Sequence, residues 1–295
     1  MSIRMTKPID IGIVMRGSRI THHGDRHMAR LRGMIIAAAA ALTVSGAGGA
    51  YAASCSSTGG EYEAWKAEFA AEYGIKGAAL KAFNSTSYAA KTISADRNQK
   101  SFKLTFDQFM AKRGGNAIIS KGKGIKKANA ALFASIEKRY GVPAGPLIAI
   151  WGMETGFGSF LGNQNTLSAV ATLAYDCRRS AFFTEQLLAA LKLVQNGTIS
   201  GSSIGAMHGE IGQTQFLPLN VLRYGADGDG NGKIDMVRSK ADALASTAKF
   251  LAGHGWSRGG GYQPGEGNYG AIQGWNAAGV YQKAIAKIGA AIDGG

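Results

Sequence analysis

The stretch IAIWGMETGFGSFLG, residues 148–162, holds one acidic side chain, Glu154, with apolar residues before it and glycines soon after. Pro146 suits the first turn of a helix. From there Leu147, Ile150, Trp151 and Glu154 fall at three- and four-residue steps, which puts all four on one helical face. The carboxylate therefore belongs to the buried stripe. Gly156 and Gly158 end the helix just beyond it, so the acid lies near a helix C-terminus, where unpaired carbonyls and low dielectric both disfavour its charged form. A carboxyl so placed keeps its proton to higher pH and can pass it to a leaving group near neutrality. On this stretch alone, a Glu fixed by local hydrogen bonds at a helix end is an equal alternative.

Two further stretches carry polar chemistry. GEIGQTQFLP, residues 209–218, is a loop rich in amides and glycine before a proline that can begin a helix. Gln213 and Gln215 offer donors and acceptors without charge, as sugar recognition requires. DGDGNGKIDMVR, residues 227–238, reads as an EF-hand-like loop. Asp227, Asp229 and Asn231 stand at the first three ligand positions, Gly232 supplies the sharp turn, Lys233 offers a carbonyl, and Asp235 stands ninth. Position twelve is Arg238, whose fixed charge opposes a divalent cation. The expectation is a loop of EF-hand shape in which Arg238 pairs with Asp227 or Asp229 and calcium binds weakly or not at all. His208-Gly-Glu210 has the spacing of half a zinc-deaminase motif, but no Pro-Cys-x-x-Cys follows. With His208 and His254 the only histidines after residue 53, no zinc site is expected.

The elements that must hold these groups are helical. Tyr62, Trp65, Phe69 and Tyr73 keep helical intervals up to Gly74; Phe102, Phe106, Phe109 and Met110 form a second apolar face; Leu132, Ile136 and Tyr140 form a third, closed by Gly141. Each aromatic stripe is read as core. RRSAFFTEQLLAALKLVQNG is a long helix with Asp176 as its cap and Gly197 as its stop. Ser239, followed three residues later by Asp242, gives a capping-box-like start to another.

At the N-terminus, residues 28–53 run from Arg30 and Arg32 through an apolar stretch to Ala50-Tyr51-Ala52, the layout of a secretory signal cleaved after Ala52 or Ala53. The stretch is too short, and too rich in Ala, Gly and Ser, for a membrane span. Residues 1–53 are accordingly read as leader and signal, and 54–295 as one domain. The whole chain carries 33 Lys and Arg against 19 Asp and Glu; residues 1–53 hold seven and two of these, so the remainder keeps a charge of +9. Such a basic, exported domain suits an anionic polymer, although a solvated basic face would have the same composition. Cys55 and Cys177 form an isolated pair that an oxidising compartment would bridge. Lipidation of Cys55 is the second choice, since Ala52 stands where a lipoprotein signal has Leu.

Taken in order, WGMETGFG, AYDCRRSAFF, GEIGQTQFLP, DGDGNGKID and GWNAAGVYQKAIA resemble the lytic murein transglycosylases of the membrane-bound lytic transglycosylase B type, over essentially the whole chain from Cys55. The resemblance implies a mainly α, goose-lysozyme-like helical fold acting on periplasmic peptidoglycan. By the same resemblance the family's single catalytic acid falls on Glu154, its substrate-groove glutamine on Gln215, and its late aromatic-Asn pair and following tyrosine on Trp275, Asn276 and Tyr281. Gln213 joins them as a substrate-binding candidate. Ala206 stands where the family often has a Ser touching the acid, and Leu219 where Ser usually follows the loop proline. The implied reaction uses one carboxyl twice, first as acid on the glycosidic oxygen and then as base for the muramyl C6 hydroxyl, leaving a 1,6-anhydro end. No cofactor is required, with calcium at the Asp227, Asp229, Asn231 and Asp235 loop the one candidate. The implied partner is the peptidoglycan glycan strand, with no nucleic acid, no integral membrane span after cleavage, and a monomer in solution. A lysozyme-like hydrolase, which would want a second carboxylate such as Glu210 or Asp176, is one alternative. A non-catalytic wall-binding protein is the other.

Overall fold

Apolar residues at helical spacing become helices along the whole of the described chain, which in this computed structural model comprises residues 54–98 and 104–294. The first group is α1 (Tyr62–Glu72), α2 (Gly77–Asn84) and α3 (Ala90–Arg97), followed by α4 (Phe106–Arg113), α5 (Gly115–Ala128), α6 (Ala130–Tyr140) and α7 (Ala144–Thr155). Next come β1 (Gln164–Asn165), α8 (Thr166–Tyr175), α9 (Ser180–Gln195) and β2 (Ile204–Gly205), then α10 (Pro218–Tyr224), α11 (Lys240–Gly253), α12 (Tyr269–Trp275) and α13 (Gly279–Asp293). The two strands pair antiparallel, Gln164 with Gly205 and Asn165 with Ile204. No helix among the described residues is long and apolar enough to cross a membrane. The signal-like segment within residues 1–53 and Phe102 lie outside the described residues.

Helix α7 is the axis of the core. Residues Ala144 to Met153 are all buried, because α5, α6, α11 and α13 pack around the helix and not along one stripe of it. The sequence pattern of one buried face is thus widened to the full circumference, and Glu154 is the position that keeps partial access to solvent. Close approach of α13 depends on Gly145, where a Cβ would lie 2.3 Å from the carbonyl oxygen of Gly289.

An aromatic group within the same core forms where α1 meets α2 and α8, with Tyr62, Trp65, Phe69, Phe83 and Tyr175 in stacked, edge and tilted contact. Tyr73 falls just past α1 and is exposed. Cys55 and Cys177 form a disulfide with Cα atoms 4.9 Å apart, and the Ser56 amide donates to the Tyr175 carbonyl at 3.0 Å. Together these tie the start of the described chain to the α8–α9 turn.

Two capping expectations change. Asp176 does not cap α9: it ends α8, and its carboxylate is drawn instead to Arg97, 3.2 Å from both oxygens, while Arg179 begins α9 without a side-chain cap. Ser239 does accept from the Asp242 amide at 3.2 Å, but the reciprocal half of the box is missing. The Asp242 carboxylate turns to the amides of Gly228 and Asp235, at 2.8 and 2.7 Å, because the preceding loop folds back over the helix start. A complete capping box appears at α4, where Thr105 and Gln108 satisfy each other's amides.

Candidate active site

Glu154 sits in the last turn of α7, and one of its oxygens is held by two donors. The Tyr281 hydroxyl donates to Oε1 at 2.6 Å and the Trp275 indole nitrogen donates to the same atom at 3.3 Å. Oε2 accepts no hydrogen bond among the described residues, so a proton on this carboxyl belongs on Oε2. Burial raises the pKa of Glu154; the Tyr281 and Trp275 donors and the positive charge of Arg113 pull it back in part, and the charge of Glu210 adds to the rise. Tyr281 is fully buried, and its phenol is pushed well up by burial and then by the neighbouring carboxylate, so it stays a donor. Together these groups make a carboxyl that keeps its proton to higher pH than an ordinary Glu, with one oxygen fixed and one unengaged.

Each partner has its own support. Trp275 ends α12 and stands edge-on to Phe216 and Phe250, with ring centroids 5.3 and 5.1 Å away. Asn276 accepts from the Ala278 amide at 2.9 Å, and its carbonyl accepts from Gln282 Nε2 at 2.8 Å. It thereby fixes the short turn that sets Trp275 of α12 beside Tyr281 of α13. Arg113 of α4 reaches the Met153 carbonyl at 3.4 Å, directly behind the acid.

The wall of the site is a backbone held in uncommon conformations. Gly156, Phe157 and Gly158 all have positive φ, at 59°, 65° and 79°, and Gln215 has φ 56°. Phe157 and Gln215 are the two non-glycine residues of this kind among the described residues, each costing about 1–2 kcal/mol. Tertiary bonds hold them there. Thr155 Oγ1 donates to the Gln213 carbonyl at 2.6 Å and accepts from the Gly158 amide at 2.9 Å. The Phe157 ring stands perpendicular to Trp151, and Lys121 Nζ lies 4.9 Å from its centroid. Gln215 Nε2 donates to the Gly212 carbonyl at 2.8 Å and to the Leu161 carbonyl at 3.4 Å, and Gln213 Nε2 donates to the Val237 carbonyl at 3.1 Å. Both glutamines therefore stitch the amide loop to its neighbours.

Beneath this loop a chain of polar side chains runs from buried Glu210 and His208 through buried Asp96 to two partly exposed arginines. Glu210 accepts from the His208 amide at 2.9 Å through Oε2 and faces His208 Nδ1 at 3.3 Å through Oε1. His208 Nε2 lies 3.7 Å from Asp96, which is paired with both Arg178 and Arg179. Asp176, the other carboxylate considered as a second acid, is engaged with Arg97 at the far end of α8. Ala206 is buried against Gly162, and the Leu219 amide donates to Gln186 Oε1 at 3.1 Å.

In the loop of residues 227–238, Asp227 accepts from the amides of Gly230, Asn231 and Gly232, which holds its carboxyl below the usual range. Asp229 accepts from the Asn231 amide and the Ser239 hydroxyl, and Asn231 from the Lys233 amide. Arg238 pairs with Asp235, Nε to Oδ2 at 2.7 Å, and not with Asp227 or Asp229. Asp235 stands one turn away from Arg238, and the Asp227 oxygens are already taken by amides. Burial pushes Asp235 up, but the Arg238 amide and guanidinium outweigh it and leave its carboxyl below the ordinary value. Carboxylate oxygens of Asp227, Asp229 and Asp242 lie within 4.8 Å of one another. Three carboxylates fit a hard divalent cation, whereas the ninth and twelfth positions, Asp235 and Arg238, neutralise each other.

Sequence reasoning brought forward Glu154, Trp275 and Tyr281, which the structure joins in one hydrogen-bonded group. It missed Arg113, Thr155 and Phe216. Thr155 adjoins the acid and so was within reach; Arg113 and Phe216 become neighbours only through the packing of α4 and α12.

Residues 61–266 match the Transglycosylase SLT domain family. Membrane-bound lytic murein transglycosylase B of Escherichia coli (strain K12) is 33% identical over 126 residues, 41% of this chain and 34% of that protein, so the chain spans about a third of the length of this curated relative. Among solved structures, SltB3 of Pseudomonas aeruginosa in complex with NAG-NAM-pentapeptide has a TM-score of 0.73 at 29% identity, covering 79% of this chain and 80% of that one. The Escherichia coli lytic transglycosylase Slt35 in complex with calcium, with a TM-score of 0.69 at 19% identity over 80% of this chain and 93% of its own, shares the fold. The mainly α, goose-lysozyme-like fold expected from the sequence is thus the observed one.

Proposed function

Because the chain belongs to the transglycosylase SLT domain family, we propose that it is a peptidoglycan lytic transglycosylase in which Glu154 acts first as acid and then as base. The proton on Oε2 passes to the glycosidic oxygen between N-acetylmuramic acid and N-acetylglucosamine, and the bond from that oxygen to the muramyl anomeric carbon breaks. The resulting carboxylate takes the proton of the muramyl C6 hydroxyl, whose oxygen bonds to the anomeric carbon and closes a 1,6-anhydro ring. No water is consumed, so one carboxyl suffices.

The observation that carries this proposal is the asymmetry of Glu154, with Oε1 bound by Tyr281 and Trp275 and Oε2 unengaged. The carboxylate whose charge reaches Glu154 is Glu210, and both of its oxygens already face His208, which argues against its serving as a water-activating base. SltB3 is described with NAG-NAM-pentapeptide and with NAG-anhNAM-pentapeptide, which supports a glycan strand as the substrate and an anhydro end as the product. Gln213, Gln215 and Asn276 are proposed to shape the groove, with residues 54–295 as the catalytic domain and 1–53 as leader and signal. The disulfide supports an oxidising, periplasmic setting. Calcium at the loop of Asp227, Asp229, Asn231 and Asp235 is weak and dispensable on this proposal, and the working form is a monomer.

Mass spectrometry of muropeptides released from purified peptidoglycan tests the proposal. Products ending in 1,6-anhydromuramic acid are expected. Reducing ends would make the protein a hydrolase, and binding without release would make it a wall-binding protein.

A further inference from the structure

The segment that follows Glu154 exposes an aromatic ring the fold does not use. Phe160 is 60% exposed, the highest value among the large hydrophobic residues described, and it stands six positions beyond the acid. Single exposed hydrophobics are ordinary on protein surfaces, so exposure alone decides nothing. What sets Phe160 apart is the backbone beneath it. Its amide donates to the Thr155 carbonyl at 3.1 Å, Ser159 Oγ donates to the Gly156 carbonyl at 2.7 Å, and the Gly158 amide donates to Thr155 Oγ1 at 2.9 Å. Main-chain and hydroxyl groups close the turn, and the ring contributes nothing to closing it.

The same segment then abuts the small sheet. A Cβ on Gly162 would lie 2.0 Å from the Gly205 carbonyl, and Gln215 Nε2 reaches the Leu161 carbonyl at 3.4 Å. Ile204, next to Gly205 in β2, is the next most exposed large hydrophobic at 49%. Two apolar side chains are thus offered to solvent from abutting segments, Phe160 six positions beyond Glu154 and beside the Leu161 carbonyl that Gln215 reaches, and Ile204 beside the Gly205 that Gly162 abuts. A pyranose ring has a face of C–H groups rimmed by hydroxyls. An aromatic face attracts such C–H groups through its negative quadrupole, while the amides of the adjoining loop suit the hydroxyl rim.

We propose that Phe160 is a stacking platform for a pyranose ring of the bound glycan, forming a subsite next to Glu154 with Ile204 at its edge. This rests on the family-based function above, and the experiment separates the two. In a Glu154→Gln background, which removes cleavage, binding of a peptide-free NAG-NAM oligosaccharide is measured by calorimetry with and without Phe160→Ala. The added substitution is expected to weaken binding about three- to tenfold at unchanged Tm. Phe160→Tyr should restore affinity and Phe160→Leu should not. In the active chain Phe160→Ala should raise KM and leave kcat within about twofold. Equal affinity for Phe and Ala, or rescue by Leu as good as by Tyr, would overturn the platform while leaving the catalytic proposal standing. If the chain binds the oligosaccharide through Phe160 but releases no anhydro ends, the subsite stands and the reaction falls. No binding by the parent chain would sink both.

Discussion

At Glu154 two demands conflict. The group must hold a proton near neutral pH, yet it must also be stable as a carboxylate in the second half of the proposed reaction. Burial raises its pKa in the direction of the first demand, while Tyr281 and Trp275 donate to Oε1 and limit the rise. Glu154→Gln is expected to fold and to lose lytic activity by about 100- to 10,000-fold, measured as turbidity clearance of peptidoglycan. Its stability should also respond differently to pH. A carboxyl whose pKa is raised on folding contributes stability fully present below its unfolded pKa and lost as pH rises through the folded value. Denaturant melts of the parent should therefore weaken between the ordinary carboxylate range and the raised value, and the Gln variant should lack that slope. Parallel curves for the two proteins would show that Glu154 is not raised. For Tyr281→Phe the sign follows as well. Loss of a donor that stabilises the carboxylate raises the acid's pKa further, so the alkaline limb of the activity profile should move to higher pH, with about 1 kcal/mol lost from stability. An unmoved limb, with only a lower Tm, would make Tyr281 a core aromatic.

The amide loop at residues 209–216 is held from below by ions and from above by rings. Asp96 is 1% exposed in its side chain and holds Arg178 and Arg179, with His208 and then Glu210 continuing toward the loop. Asp96→Asn leaves two partly exposed arginines without their carboxylate, 43% and 22% exposed in their side chains, so it should cost about 2 kcal/mol, read by denaturant unfolding. The change should also lower activity, because Phe216 of the same loop positions Trp275 against Glu154. A loss under about 0.5 kcal/mol, ordinary for a surface substitution, would show that the chain of charges carries no structural load. In the loop of residues 227–238, the Arg238–Asp235 pair cancels the charge a cation would need at the ninth position. A site of micromolar affinity would gain about 4 kcal/mol in millimolar calcium. The expectation here is no measurable shift in Tm with calcium and no loss of lysis on chelation. Partner choice of this kind was beyond the sequence. Asp176 and Arg238 each had a local role that spacing allowed, a cap and a metal substitute, and each took another partner: Arg97, 79 residues away in the chain, for the first, and a carboxylate one turn away for the second. Glu154 was legible because helix periodicity and a glycine stop are local signals; Arg113 was not, because only the packing of α4 brings it behind Met153.

For the whole molecule, the packing around α7 and the aromatic group of α1 and α8 form one continuous core, and a single covalent bond ties the start of the described chain to the α8–α9 turn. The helical class, most of the core aromatics (Tyr62, Trp65, Phe69 and Phe109, though not Tyr73) and the pairing of the only two cysteines were legible in the sequence, since each depends on composition or on period. How α7 came to be enclosed on every side could not, because it follows from Gly122 and Gly145, which admit α5 and α13 to close contact with it. The Cys55–Cys177 disulfide closes a loop spanning 122 positions. Closing a loop of that order restricts the unfolded chain enough to add roughly 4–5 kcal/mol if native geometry is undisturbed, with smaller gains common. The benefit lies in the unfolded state, so reduction should leave the folded structure and the Glu154 group in place while lowering the denaturant midpoint. Thiol titration of the denatured, unreduced protein is expected to find no free thiol, and two after reduction. Cys55→Ala together with Cys177→Ala should match the reduced protein in midpoint and retain lytic activity at 25 °C. Two free thiols before reduction, or a reduced protein as stable as the oxidised one, would mean that the tie between the N-terminal segment and the α8–α9 turn rests on the Ser56–Tyr175 hydrogen bond and the packing of α1 alone.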